Sequence, residues 1–137
     1  ARNPVDAWQA FHDADFMGKI LDPVFEDPDL DMIILDRLVP RMTYATPDEK
    51  DSIPAAIDYL GKNRSRKPLV VVVDGSGEDP FLATEAALTR QRFCRAGIPA
   101  YPSLPLAAQA LARLAAYYEK REAIAPRPPT ISIQRKK

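Results

Sequence analysis

The chain has 137 residues, 46% of them apolar, enough for one domain with a buried core and too few for two. Lysine plus arginine and aspartate plus glutamate number 19 each, so no net field gathers nucleic acid or an anionic membrane. No run reaches the roughly 18 apolar residues that span a bilayer, and no charged stretch followed by an apolar core opens the chain, so a cytoplasmic location is expected.

The opening Ala1-Arg2-Asn3-Pro4 lacks an initiator methionine and has the look of a cut rather than a natural start; residues 3–6 read as a short strand. Over residues 13–25 the period becomes helical: Phe16, Met17, Ile20, Leu21, Val24 and Phe25 recur three and four apart and describe one buried face. Pro23 should kink that helix or end it early. The acidic run Asp22, Glu26, Asp27, Asp29 and Asp31 is interrupted by Pro23 and Pro28, so it reads as a solvated helix end and turn, not a cation site. Residues 30–39, built on Met32-Ile33-Ile34-Leu35, read as a strand covered on both faces.

Thr46-Pro47-Asp48-Glu49 has capping-box spacing, and Ile53, Ala56, Ile57 and Leu60 form the stripe of a second helix before Gly61. Pro54 offers a second start for it, with Ser52 as cap. Residues 68–75 carry the clearest strand, where Leu69-Val70-Val71-Val72-Val73 shows no polar alternation. A third helix opens at Asp79-Pro80 and runs through Leu82, Ala86 and Phe93 to a C-terminal cap at Gly97. Cys94, the single cysteine, has no partner for an internal disulfide and reads as a buried, inert thiol of a reducing compartment. Residues 98–101 form the next strand. A fourth helix over residues 103–122 carries Ala107, Ala110, Leu111, Leu114 and Tyr118 on one side. Ala125-Pro126-Arg127-Pro128-Pro129 cannot continue it, which divides the chain into a folded unit over 1–123 and a basic linker or tail over 124–137.

The order βαβαβαβα predicts an α/β fold with a doubly wound, mainly parallel sheet and right-handed crossovers. Four strands are fewer than such sheets usually hold, so one βα unit is expected upstream of Ala1. Ligands of these folds collect at the carboxyl ends of strands, which singles out Asp6, Asp36, Arg37, Asp74, Gly75, Ser76 and Ser103. Asp74-Gly75-Ser76-Gly77 could bring backbone N–H groups to a phosphate. It lacks the lysine of a P-loop, misses Gly-x-Gly-x-x-Gly, and is followed by Glu78 and Asp79, so a tight turn with a helix cap is the plainer reading. His12, the one histidine, stands beside Asp13 and reads as a loop or capping residue, with no second histidine for a metal cluster. Trp8, Phe11, Phe16 and Phe25 read as core, because no basic residues interleave with them as in a base-stacking surface.

Four motifs in order carry a resemblance: Asn3-Pro4-Val5-Asp6, Asp27-Pro28-Asp29-Leu30-Asp31, Lys67-Pro68 before its apolar strand, and Gly97-Ile98-Pro99-Ala100-Tyr101. Over residues 3–121 the chain resembles the second flavodoxin-like subdomain of NDP-forming acyl-CoA synthetases, relatives of succinyl-CoA synthetase. The resemblance implies a parent enzyme that converts acyl-CoA, NDP and phosphate to free acid, CoA and NTP through an acyl phosphate and a phosphohistidine. It also implies that CoA, ATP or ADP and Mg are held by other domains, namely the CoA-binding, phosphohistidine and ATP-grasp parts, which are this segment's expected partners. Asp6, Asp36, Gly75 and Ser76 are then the candidate residues contributed to a shared site, with no catalytic residue and no bound cofactor or metal in this segment. The alternatives are an autonomous flavodoxin-like binding module, or the non-catalytic synthetase-like region of an acyltransferase.

Overall fold

A computed structural model describes residue 4 and residues 14–38, 53–63, 66–75, 77 and 79–124. The expected strand over 3–6, the capping stretch 46–52 and the tail over 125–137 lie outside the described residues. In chain order the elements are α1 (Ala14–Glu26), β1 (Ile33–Leu38), α2 (Ile53–Asn63), β2 (Leu69–Asp74), α3 (Pro80–Arg95), β3 (Ala100–Tyr101) and α4 (Leu104–Ile124).

The three strands form one parallel sheet in the order β1-β2-β3. Ile33 stands opposite Leu69 and Leu38 opposite Asp74, while Val71 stands opposite Ala100. Parallel neighbours need a crossover, and α2 and α3 supply the two here. Four consecutive β2 valines, Val70 to Val73, are buried. Because side chains alternate along a strand, they feed two separate layers. Val71 and Val73 pack with Met17, Leu21 and Phe25 of α1, Ile53, Ala56 and Leu60 of α2, and Ala86 and Phe93 of α3. Val70 and Val72 pack with Ala107 and Leu111 of α4. Helices therefore cover both faces, which is why β2 tolerates no polar position between Leu69 and Asp74.

Local chemistry fixes the ends of α3. Asp79 is its N-cap, the side chain accepting from the N–H of Phe81 at 2.9 Å and of Leu82 at 3.4 Å, with Pro80 in the first turn. At the other end Gly97 takes φ +77°, Gly97 N–H donates to the Cys94 carbonyl and Ile98 N–H to the Phe93 carbonyl, both at 3.0 Å. This is a Schellman closure, and its apolar partners Phe93 and Ile98 are 1% and 2% exposed. The chain leaves it directly into β3.

Several expectations are corrected. Pro23 does not end α1, which runs on to Glu26. The last turn is held instead by Asp27 N–H on the Pro23 carbonyl at 3.0 Å and by Lys67 Nζ, which donates to the carbonyls of Val24 and Asp27. Phe16, placed on the buried face of that helix, is 37% exposed because the core begins one residue later, at Met17. The described part of α2 has Pro54 in its first turn, both candidate caps lying outside the described residues, and the helix passes Gly61 to Asn63, whose Nδ2 donates to the Tyr59 carbonyl at 2.9 Å. Cys94 is exposed, on the solvent side of α3 next to inward-facing Phe93. Leu114 and Tyr118 continue the stripe of α4 but are exposed, because 21 helical residues overrun strands of six. Finally, β1 is shorter than 30–39 and is not covered on both faces: Ile33 is 6% exposed but Ile34 is 36%.

Candidate functional site

The carboxyl ends of β1 and β2 lie side by side, because the register sets Leu38 against Asp74. Strand alternation puts the Asp36 and Asp74 side chains on the face that α4 covers, and both are exposed. Arg37 stands opposite Val73 on the other face and is buried, at 6% exposure, the only buried charged side chain among the described residues. Of the four residues expected to serve a shared site, Asp36 and Gly75 are thus brought to one end of the sheet. Asp6 and Ser76 lie outside the described residues, as does His12.

Gly75 is required for a close approach. A Cβ there would stand 3.0 Å from Ala83 Cα, 3.3 Å from Ala86 Cβ and 3.3 Å from the Leu82 carbonyl, so the first turns of α3 press directly on the strand end. Gly77 differs: its Cβ would meet nothing within 4 Å, but its φ of +106° is a conformation that side chains rarely adopt. Asp79 caps α3 at this strand end, and the exposed carboxylates of Asp36, Asp74 and Asp79 make its surroundings acidic.

Arg90 was not singled out by the sequence, yet it completes this end of the sheet. Its Nη1 donates to the Val73 carbonyl at 2.7 Å. The physical reason is the brevity of β3: the strand stops at Tyr101, level with Val72, so Val73 lies beyond the paired stretch. At the start of α4, Ser103 accepts the Ala107 N–H on its carbonyl at 3.1 Å and is half-buried.

A second polar cluster, also hidden from the sequence, joins α1 to the end of α2. Tyr59 Oη donates to Asp22 Oδ1 at 2.7 Å, and Arg66 Nη1 donates to the same oxygen at 3.1 Å. Arg66 Nη2 reaches Glu26 at 3.4 Å, and its guanidinium lies 5.0 Å from the centre of the Phe25 ring. Burial first, then the hydrogen bond to Asp22 and its charge, push the Tyr59 hydroxyl above the ordinary tyrosine range, with Arg66 opposing. The acidic run is therefore split: Asp22 and Glu26 are pairing groups, while Asp27 accepts the Asp29 N–H at 2.9 Å in a local turn. The nearest residues in sequence do not betray this, since Asp22 and Arg66 are 44 positions apart.

Among the described residues no group of three or more His, Cys, Asp or Glu side chains stands close enough to hold a metal ion. A concavity of about 240 Å³ lies at the opposite end of the sheet, between Leu60, Pro68, Pro99, Leu111 and Leu114. It is apolar and offers no group for proton transfer or nucleophilic attack. No helix among the described residues is long and apolar enough to cross a membrane. Comparisons with protein-family models, with curated proteins and with solved structures find no match to this chain.

Proposed function

We propose that the chain is the second flavodoxin-like subdomain of an NDP-forming acyl-CoA synthetase, without its first βα unit. The parent enzyme converts acyl-CoA, NDP and phosphate to free acid, CoA and NTP through a phosphohistidine held in another domain. The segment's part is structural and phosphate-presenting: loops around Asp6, Asp36 and Gly75 line a site that other domains complete with CoA, ATP or ADP and Mg.

The observation that carries this reading is that two of the motifs behind the resemblance meet in space. Lys67, of the Lys-Pro pair before β2, donates to the carbonyl of Asp27, of the Asp-Pro pair before β1, although the two are 40 residues apart. The Gly97-Ile98 pair closes α3 onto β3. The three motifs that fall among the described residues thus each have a physical task in one parallel α/β frame, which supports taking those three as a set; Asn3-Pro4-Val5-Asp6 lies outside the described residues.

The test is an assay of the complete gene product for NTP formation from acyl-CoA, NDP and phosphate, with an acid-labile phosphate recovered on histidine. Activity of the complete product and none of the 137-residue chain is expected. A complete product that shows neither activity nor phosphohistidine overturns the reading. Calorimetric titration of the 137-residue chain with CoA, ATP and FMN should give no heat of tight binding; submicromolar binding of any of them favours an autonomous binding module instead.

A further inference from the structure

Helix α4 is apolar well beyond the face it buries. Between Leu104 and Tyr118 it carries a single charged side chain, Arg113. A helix that is apolar all round belongs inside an assembly, not on its surface. At 3.6 residues per turn, Leu106, Ala110, Leu114 and Tyr117 fall within about 80° of one another, roughly a quarter-turn from Ala107 and Leu111, which rest on the sheet. Three of the four stand open: Leu106 is 47% exposed, Leu114 37% and Tyr117 58%, the highest value of any large apolar residue described. Leu114 also lines the concavity of about 240 Å³ together with Gly97 and Pro99, so this flank looks toward the start of β3 and away from β1. Next to it the Tyr118 ring stands edge-on to that of Tyr117, with 5.5 Å between centres, and braces it.

A projection and a hollow thus share one surface. Tyr117 stands three residues, about 4.5 Å, beyond Leu114, and Leu111, which lines the hollow, stands three residues before it. Such a surface is complementary to a copy of itself turned by a two-fold axis, because residue i then meets j while j meets i. We infer that this flank pairs two copies of the chain, α4 antiparallel to α4, with each Tyr117 ring seated in the other copy's concavity. An axis at Leu114 sets that residue against its own counterpart, Tyr117 against Leu111, and Tyr118 over Ala110, whose small side chain permits a close approach. Charge does not oppose the pairing: the chain has a net charge of zero, and Arg113 stands at the rim of the flank. Area sets its strength. Leu106, Leu114, Tyr117 and Tyr118 leave roughly 400–500 Å² open, as large as the patches that mark interaction sites. Two such patches bury about 1,000 Å², the low end for a specific interface, so the pair is weak, with a dissociation constant of about 10–100 µM. This goes beyond the ligase reading and does not rest on it.

The experiment is sedimentation equilibrium of the 137-residue chain from about 5 to 500 µM, either side of that constant. The mass should rise from the 15.3 kDa of one copy toward twice that value. Tyr117→Ser should weaken the association by about 10-fold or more, as removal of a central aromatic anchor does, and leave the melting temperature of the dilute chain unchanged. Phe81→Ser, at an equally open aromatic on α3, should leave the association as it is. In a mixture of isotope-labelled and unlabelled chains, nuclear Overhauser contacts between copies should run from the Tyr117 ring to the methyl groups of Leu111 and Leu114. A chain that stays monomeric throughout the range overturns the inference, and contacts from Tyr117 within a single copy would show that the chain's own residues fill the hollow. Association that survives Tyr117→Ser undiminished, or intermolecular contacts confined to another face, overturns it as well.

Discussion

At the scale of single residues, two glycines and one tyrosine carry the sharpest consequences. Gly75→Ala places a methyl group 3.0 Å from backbone Cα of Ala83, a contact that no side-chain rotation relieves. A loss of about 1–3 kcal/mol, the usual cost of overpacking, is expected in urea denaturation. Gly77→Ala meets open space, so its cost comes from φ alone and should be about 1–2 kcal/mol, within the range for a strained backbone. An unchanged midpoint for Gly75→Ala would remove the close contact between α3 and the end of β2. Tyr59→Phe deletes the hydrogen bond to Asp22 and should cost about 1 kcal/mol. Its pH dependence is distinctive. The folded Tyr59 holds its proton above the pH at which the unfolded tyrosine, near 10, releases it, so its stabilisation is complete below pH 10 and is lost as pH rises further. Melting scans from pH 8 to 11 should show a steeper alkaline fall for the native chain than for Tyr59→Phe.

At the scale of elements, α4 and α3 show how burial and capping divide the work. Helix α4 is about 31 Å long at 1.5 Å per residue, whereas β2 spans roughly 20 Å, so only the first half of the helix rests on the sheet. Leu111→Ala should therefore cost about 2–5 kcal/mol, the price of a cavity in the α4 layer. Tyr118→Ser, one turn beyond the support, should stay within about 0.5 kcal/mol. Equal losses at the two positions, read by chemical denaturation, would mean that the overhang is packed. Asp79→Ala removes the acceptor for the Phe81 and Leu82 N–H groups and should lower stability by about 0.5–2 kcal/mol. The Lys67 ammonium acts at the C-terminal end of α1 in the same sense, and its contacts explain how a helix survives Pro23 in its third turn.

At the scale of the whole molecule, two hydrophobic layers share one strand. Val71 and Val73 belong to the layer of α1, α2 and α3, and Val70 and Val72 to that of α4. Neither layer persists without β2, so unfolding should be a single transition. Val72→Ala removes two methyl groups' worth of burial from the α4 layer, of the order of 2 kcal/mol. That loss should appear equally in far-UV circular dichroism and in a probe at Tyr59 on the other face. Separate midpoints for the two probes would show that the layers unfold independently.

Much of this was legible in the chain itself. The valine run of β2, the proline and aspartate opening α3 and the glycine closing it specify their elements because each acts within a few residues: burial on two faces, a side-chain oxygen for orphan N–H groups, a permitted positive φ. Parallel pairing of β1 and β2 followed from their apolar character and the helix between them. The position of Asp36 and Gly75 at one strand end followed from the same periodicity. The rest was decided by groups far apart in sequence. The pairing of Arg66 with Asp22, the capping of α1 by Lys67 and the donation of Arg90 to Val73 leave no local trace, since hydrogen bonds between elements depend on where the elements come to rest. Exposure of Phe16, Cys94, Leu114 and Tyr118 was equally out of reach, because periodicity marks a face of a helix and only the neighbouring layer determines how far along it burial extends. For the same reason the apolar sequence of β1 fixes its strand character, and the open face at Ile34 is a fact of the tertiary structure alone.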